Sequence, residues 1–95
     1  MDLNFRGTIW YWRGPAPFHF VTVPVAESET IAEVSPAVTY GWGMVPVSAR
    51  IGDSTWTTAL WPKDGGYILP VKASVRAGEG VDVDDVVEVR MSIAI

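Results

Sequence analysis

The stretch Val45–Trp61, VPVSARIGDSTWTTALW, decides the fold class of this chain. Its first half alternates apolar residues with more polar ones, which is the two-residue period of a half-buried strand. Gly52-Asp53-Ser54 is typical of a tight turn, and the β-branched and aromatic run Thr55–Trp61 returns from it. Two such runs joined by a short turn predict a β-hairpin in the middle of the chain.

Strand signals also occur on both sides of this hairpin. The runs rich in β-branched and aromatic residues are Phe5–Trp12, Phe18–Val23, Tyr67–Val71 and Val86–Ile95. Arg13–Pro17 predicts a loop, because proline has no N–H to donate to a strand ladder. Pro62–Gly66 predicts a further turn.

One segment has the character of a helix. In PVAESETIAEV, which begins at Pro24, proline suits the first helical position, and Glu27 and Glu29 suit the positive end of the helix dipole. Ser35-Pro36 predicts its end, because the residue before a proline avoids the helical region. Val71–Ala77 predicts one or two further helical turns, which Gly78-Glu79-Gly80 stops.

These elements predict a mainly β protein with about six strands, one short helix and one helical turn. The 95 residues fit one domain, 1–95. Short strands separated by turns favour a small closed or split barrel, since closure removes exposed edges. We expect the helix to plug one end of this barrel.

Composition narrows the possible partners. The net charge of −4 opposes binding to nucleic acid and to an anionic membrane.

No run approaches the roughly 20 apolar residues of a membrane helix, and the start Met-Asp-Leu-Asn lacks a basic targeting region. The chain has no cysteine, which excludes disulfides and thiolate sites and fits a reducing compartment. We therefore expect a soluble, cytoplasmic protein.

The aromatic load gives a first candidate site. Five tryptophans do not all fit inside a barrel of this size. Tyr40, Trp42 and Tyr67 are predicted to form a partly exposed aromatic wall, with Trp42 covering an open end of the barrel. The alternative interpretation is core packing together with a dimer contact, because exposed apolar patches usually mark interfaces.

Basic residues give a second candidate binding site. Lys72 and Arg76 are four residues apart, so a helical turn places them on one face, and Arg50 and Lys63 lie in segments expected to converge with them. One interpretation is a site for a carboxylate or phosphate. The other is two solvated charges, or ion pairs with the acids of Asp82–Asp85. The ligand-binding candidates are Trp42, Tyr67, Lys72, Arg76, Arg50 and Lys63.

The sequence offers no metal site, cofactor or catalytic residue. His19 is the only histidine, and one imidazole without cysteines does not make a zinc site, so a structural role is expected for it. Asp82, Asp84 and Asp85 lack the spacing of a calcium loop. No nucleophile is paired with a base, so enzymatic activity is left uncertain and not favoured.

Several motifs occur together in a characteristic order. They are FVTVP at Phe20–Pro24, GWGMVPVSARIG at Gly41–Gly52, TWTTALWPKDGGYILPVKASVR at Thr55–Arg76, and VDVDDVVEV at Val81–Val89. This order resembles the domain-of-unknown-function 1905 family of small bacterial proteins, from Phe5 to about Ile93. The resemblance implies a double-split β-barrel, an architecture also seen in dimeric transition-state regulators and antitoxin DNA-binding domains. Some relatives are fused to a domain linked to bacteriocin protection.

The family has no established activity, so the resemblance carries over no catalytic residue. One departure is visible before the last strand, where the family usually has Gly-Asp and this chain has Asp84-Asp85. Asp84 is therefore expected to adopt the left-handed geometry of a turn, which aspartate tolerates better than most residues.

These observations favour a non-catalytic binding module for a small anionic or aromatic ligand. The alternative is a homodimer or another protein-interaction or regulatory domain, with DNA binding disfavoured by the acidic charge. No membrane partner is expected.

Overall fold

Strand-forming runs dominate the computed structural model, which describes residues 1–14 and 18–94. In these ranges six antiparallel strands close into a barrel in the spatial order β1-β2-β5-β4-β3-β6. The strands are β1 (Asp2–Trp12), β2 (Phe18–Thr22), β3 (Val45–Ile51), β4 (Ser54–Lys63), β5 (Gly66–Pro70) and β6 (Val86–Ser92). Two helices, α1 (Val25–Val38) and α2 (Ala73–Glu79), complete the fold. The predicted fold class is confirmed, and the barrel is closed.

The two longest strands, β1 and β4, each change pairing partner along their length. β1 pairs with β6 along residues 2–8 and with β2 along residues 9–12. β4 pairs with β3 along residues 54–60 and with β5 along residues 61–63. The predicted hairpin is thus β3–β4, with Val47 opposite Thr58 and Gly52 in the left-handed region at its turn.

The barrel interior follows from strand alternation. In β3 and β6, buried residues alternate with exposed ones along the whole strand. The deepest interior side chains of the strands are at most 1% exposed, and each of the six strands contributes one: Ile9, Val21, Val45, Leu60, Leu69 and Val89. Burial of this apolar layer is the main stabilising contribution to the fold.

Helix α1 packs on the barrel through one deeply buried side chain. Ile31 is completely buried and belongs to the same hydrophobic core as the strand interior. The buried Ser28 hydroxyl donates to the carbonyl of Val23 at 3.3 Å, and Ser28 also adjoins Gly66 at the start of β5. The helix therefore adjoins the end of the barrel formed by the β4–β5 turn.

The predicted end of this helix at Ser35-Pro36 is wrong, because α1 continues to Val38. Pro36 has no N–H to donate to the carbonyl of Ala32 one turn earlier. The Ser35 hydroxyl donates to that carbonyl instead, at 3.3 Å. The proline is thus accommodated inside the helix. Its start also differs slightly, since Pro24 is the residue before the first helical position.

Helix α2 adjoins the other end of β4. Val75 is buried in the core, and the Ser54 hydroxyl donates to the Glu79 carboxylate at 2.6 Å. Gly80 ends the helix in the left-handed conformation, with φ of 65°. The helix thus begins and ends two residues later than predicted and includes Gly78.

Two loop predictions remain. Pro15, Ala16 and Pro17 of the predicted Arg13–Pro17 loop lie outside the described residues. Asp84 has a φ of 73°, which confirms the left-handed geometry expected there, and its N–H donates to the carbonyl of Ile9 at 2.9 Å.

Ile31→Ala is expected to lower the free energy of unfolding by about 2–5 kcal/mol, because it removes a fully buried side chain and leaves a cavity. Val25→Ala is the matched control on the same helix. Val25 is 75% exposed, so its loss should change stability by no more than about 0.5 kcal/mol. Urea unfolding of both variants tests whether Ile31 attaches α1 to the barrel, and equal effects would contradict it.

Candidate ligand-binding site

A cavity of about 550 Å³ opens beside helix α2, and we call it the α2 cleft. Strands β1, β2, β4 and β5 and the start of α2 form its walls. Its lining residues are Tyr11, Phe18, His19, Thr58, Trp61, Pro70, Val71, Lys72, Ala73 and Arg76.

The floor of the cleft continues the inward-facing layer of the barrel. Tyr11 lies opposite His19, and each is two residues from a core residue on its own strand, Ile9 and Val21. Residues two apart on a strand share a face, so the two rings point to the same side as the core. The N–H of Val71 donates to the carbonyl of His19 at 2.9 Å, which extends this row toward α2.

The rim of the cleft belongs to a cluster of rings on the outside of the barrel. Phe20 is fully buried although it alternates with the core residue Val21 and therefore faces outward. Its ring centroid lies 5.1–6.1 Å from those of four neighbours, Trp10, Trp12, Phe18 and Trp61. These five residues form the outer aromatic cluster. Phe18 and Trp61, 5.5 Å apart and edge to face, also line the α2 cleft.

Two cations stand at the α2 side of the cleft. The Nη1 of Arg76 donates to the carbonyl of Val71 at 2.7 Å, which fixes the orientation of the guanidinium. Lys72 is exposed and immediately precedes the helix. Within residues 1–14 and 18–94, no carboxylate lies within 4.0 Å of either cation.

The acidic turn after α2, residues 82–85, contacts His19 and its own backbone and makes no ion pair with Lys72 or Arg76 in the described residues. Asp82 lies with its Oδ1 3.5 Å from Nε2 of His19 and accepts a hydrogen bond from the N–H of Val83 at 2.8 Å. The Asp85 carboxylate accepts one from the N–H of Asp82, also at 2.8 Å. The ion pairs that the sequence allowed between this turn and Lys72 or Arg76 are therefore not formed in the described part of the chain.

His19 has an electrostatic setting that the sequence did not reveal. Its ring packs edge to face on Tyr11, with centroids 5.0 Å apart, and its side chain is only 17% exposed. Burial lowers the pKa of the imidazole below its ordinary value, the Arg76 guanidinium lowers it further, and the Asp82 carboxylate raises it in part. The imidazole is therefore neutral at neutral pH.

The remaining predicted site residues lie outside the α2 cleft. Tyr67 is buried in the core, and it borders a separate groove of about 490 Å³ between α1 and the β4–β5 turn. Lys63 also borders this groove, where its Nζ lies 2.9 Å from the Asp64 carboxylate and 5.9 Å from the centre of the Trp12 ring.

Arg50 faces outward on β3, because it alternates with the buried Ala49 and Ile51. It lies opposite Arg90 of β6, donates to the carbonyl of Gly52 at 2.7 Å and approaches Asp53 at 3.5 Å. The predicted convergence of Arg50 and Lys63 with Lys72 and Arg76 is therefore wrong.

Trp42 covers nothing, so the prediction that it closes the barrel is also wrong. Its side chain is 97% exposed, and its φ of 55° lies between those of Gly41 at 26° and Gly43 at 76°. Tyr40 and Met44 close this turn with reciprocal backbone hydrogen bonds of 3.0 and 3.1 Å. Three successive left-handed residues thus present the indole to solvent at the tip of a tight loop.

Comparison with known proteins bears on the family of this chain. The family model for the domain of unknown function DUF1905 matches residues 5–91, nearly the whole chain. The chain belongs to this family. No curated protein matches it. The family description names no activity, so what the α2 cleft can bind is inferred from its residues alone.

Residues 1–14 and 18–94 contain neither a cluster of metal ligands nor a helix able to cross a membrane. No three metal-ligating side chains come together there in a way that would hold an ion. Neither α1 nor α2 has the length and apolar character needed to cross a bilayer.

The lowered pKa of His19 predicts a pH dependence of stability. Below the ordinary histidine pKa the unfolded chain binds a proton that the folded chain resists, so the free energy of unfolding falls as the pH falls. Between about pH 7.5 and about pH 5.5, wild-type protein should lose more stability than His19→Gln, whose side chain does not titrate. Urea unfolding across this range measures the difference, and parallel curves would refute the assigned environment of His19.

Proposed function

We propose that this DUF1905 protein is a non-catalytic binding module for a small anionic ligand and that the α2 cleft is its binding site. The observation that carries the proposal is that Lys72 and Arg76 have no acidic partner among the described residues. Both line the cleft, and no carboxylate of the described residues lies within 4.0 Å of either of them. An anion from solution would supply the partner that the chain itself does not.

The geometry of Arg76 supports this role. Its hydrogen bond to the carbonyl of Val71 uses one N–H and holds the guanidinium plane in place. The remaining N–H groups are available to a planar acceptor, and arginine binds carboxylate and phosphate through such paired donors. Because the group is already oriented, little side-chain entropy is lost on binding.

The size and lining of the cleft suit a small molecule. Its volume of about 550 Å³ lies in the range of small-molecule pockets, and its walls are mainly rings and aliphatic surface. The half-buried surroundings of Arg76 exclude part of the solvent, which strengthens a charge–charge interaction there relative to one at an open surface.

A binding role is favoured over catalysis by the pairing of groups in the cleft. Among the described residues, no hydrogen bond joins the His19 imidazole to the hydroxyl of Thr58 or Tyr11. An activated nucleophile requires such a base within hydrogen-bond reach. The proposal therefore assigns no catalytic residue and no cofactor.

A second candidate is a protein-interaction role, for example as a homodimer. It is supported by Trp42, whose fully exposed side chain and left-handed backbone are both unfavourable in the isolated chain. Tryptophan is frequent at the centres of protein interfaces, where contact with the partner offsets the cost of an exposed indole and a strained backbone. A nucleic-acid partner is disfavoured by the net charge of −4, and the cysteine-free composition supports a cytoplasmic location.

Arg76→Gln should weaken anion binding about tenfold or more, because it removes a charged hydrogen-bond donor. Benzoate and inorganic phosphate serve as probes, and amide and indole NMR shifts report binding at residues of the cleft. Arg50→Gln is the matched control, since Arg50 does not line the α2 cleft, and it should bind as wild type does. If neither probe shifts residues of the cleft in wild-type protein, the proposed function fails.

Trp42→Gly separates the two candidates. Replacing a left-handed, solvent-exposed tryptophan with glycine should leave the free energy of unfolding unchanged or raise it by up to about 1 kcal/mol. If the interaction role is homodimerisation through Trp42, sedimentation velocity shows a wild-type dimer and a monomeric variant. Under the binding role alone, both sediment as monomers. A loss of 2 kcal/mol or more, on the order of a core truncation, would contradict the exposed position of the indole.

A further inference from the structure

Two kinds of chemistry meet in the α2 cleft: cations with no carboxylate partner among the described residues, and partly exposed aromatic rings. The cleft combines the cations Lys72 and Arg76 with the rings of Tyr11, Phe18 and Trp61. The outward-facing cavity around Arg50 and Arg90 has cations but no ring, and the groove beside α1 has rings, but its Lys63 is paired with Asp64.

We infer that the ligand of the α2 cleft is an aryl carboxylate, a carboxylate group joined to a planar aromatic ring. The carboxylate binds Arg76 and Lys72, and the ring lies against the aromatic side chains of the cleft. This inference rests on the proposed function and names the ligand class of the same site.

The rings of the cleft are arranged to receive another ring. Tyr11 and His19 form one edge-to-face pair at 5.0 Å, and Phe18 and Trp61 form another at 5.5 Å. Tyr11 and Phe18 are each 41% exposed, so both have surface left to cover. Aromatic rings interact best edge to face or offset, and a planar ligand ring offers both its face and its edge.

The outer aromatic cluster holds the rim in place. Phe18 and Trp61 both pack on Phe20, with centroids 6.0 and 5.1 Å away, and Phe20 has no exposed surface. Side chains supported in this way lose little freedom when a ligand binds. The cleft therefore favours a rigid, flat ligand over a flexible aliphatic one of the same size.

Charge favours a carboxylate over a phosphate ester. Lys72 and Arg76 supply two positive charges, Asp82 beside His19 supplies a negative one, and the imidazole is neutral at neutral pH. Lys72, Arg76 and Asp82 together carry one net positive charge, which matches a monoanion. A phosphate monoester carries about −1.5 to −2 at neutral pH and would face repulsion from Asp82.

Three probes on wild-type protein at about pH 7.5 test the inference, a pH at which an ordinary histidine is neutral. They are benzoate, cyclohexanecarboxylate, which has the same acid group on a saturated six-membered ring, and phenyl phosphate. Benzoate should bind about two- to tenfold more tightly than cyclohexanecarboxylate, because only the aromatic ring gains edge-to-face contacts. It should also bind more tightly than phenyl phosphate.

Phe18→Leu locates the ring contact. This variant keeps an apolar side chain at a position that is partly exposed, and it should reduce the preference for benzoate over cyclohexanecarboxylate toward equality. Tyr40→Leu is the matched control, because Tyr40 is an exposed aromatic residue outside the cleft, and the preference should persist there. NMR titration gives both the affinities and the residues that respond.

The outcomes separate this inference from the proposed function. Equal affinity for benzoate and cyclohexanecarboxylate would overturn the aryl ligand and leave an anion site. Tighter binding of phenyl phosphate would overturn the carboxylate. Absence of binding by these three probes and by inorganic phosphate would overturn the proposed function itself. A benzoate preference that persists in Phe18→Leu would show that the ring does not bind at this rim.

Discussion

The double pairing of β1 and β4 is the constraint on which the rest of the structure depends. Each of these strands pairs with two different neighbours along its length. β1 pairs first with β6 and then with β2, and β4 pairs first with β3 and then with β5. This arrangement allows six short elements to enclose one apolar interior without leaving a free edge. It also places the end of β1 and the start of β2 in the wall that meets α2, which is where the cleft forms.

Helix α2 connects the stability of the barrel to the chemistry of the site. Val75 is buried in the core, and Arg76, the next residue, lines the cleft. Successive residues of a helix differ by about 100° in direction, so one short helix serves both purposes. The hydrogen bond from Arg76 to Val71 connects the helix to the strand end before it. The guanidinium is therefore positioned by a helix that is itself attached to the core through Val75.

The sequence predicted local structure well, but it did not predict which of the candidate residues lie together. Alternation predicted the strands, and it also implies that Arg50 faces outward, as the buried Ala49 and Ile51 on either side of it confirm. Alternation does not reveal which strands are neighbours. His19 and Tyr11 reach α2 only because β2 pairs with β5, a strand distant in sequence. α1 continues past Pro36, and the Ser35 hydroxyl donates to the Ala32 carbonyl that the proline leaves without its N–H. Proline chemistry alone does not predict this side-chain hydrogen bond.

Lys72 and Arg76 have no carboxylate partner in the part of the chain that the structure describes, and this is informative because acids are close by in the sequence. Asp82, Asp84 and Asp85 follow Arg76 within nine residues, and the chain has an excess of acids. The turn instead directs Asp85 to the backbone of Asp82, and Asp82 to His19 and Val83. Two like charges one helical turn apart repel each other modestly, and a partner would relieve this. Of the binding candidates, Arg50 and Lys63 have nearby carboxylates, whereas Lys72 and Arg76 have none among residues 1–14 and 18–94, and this difference is what favours Lys72 and Arg76 in the proposed anion site.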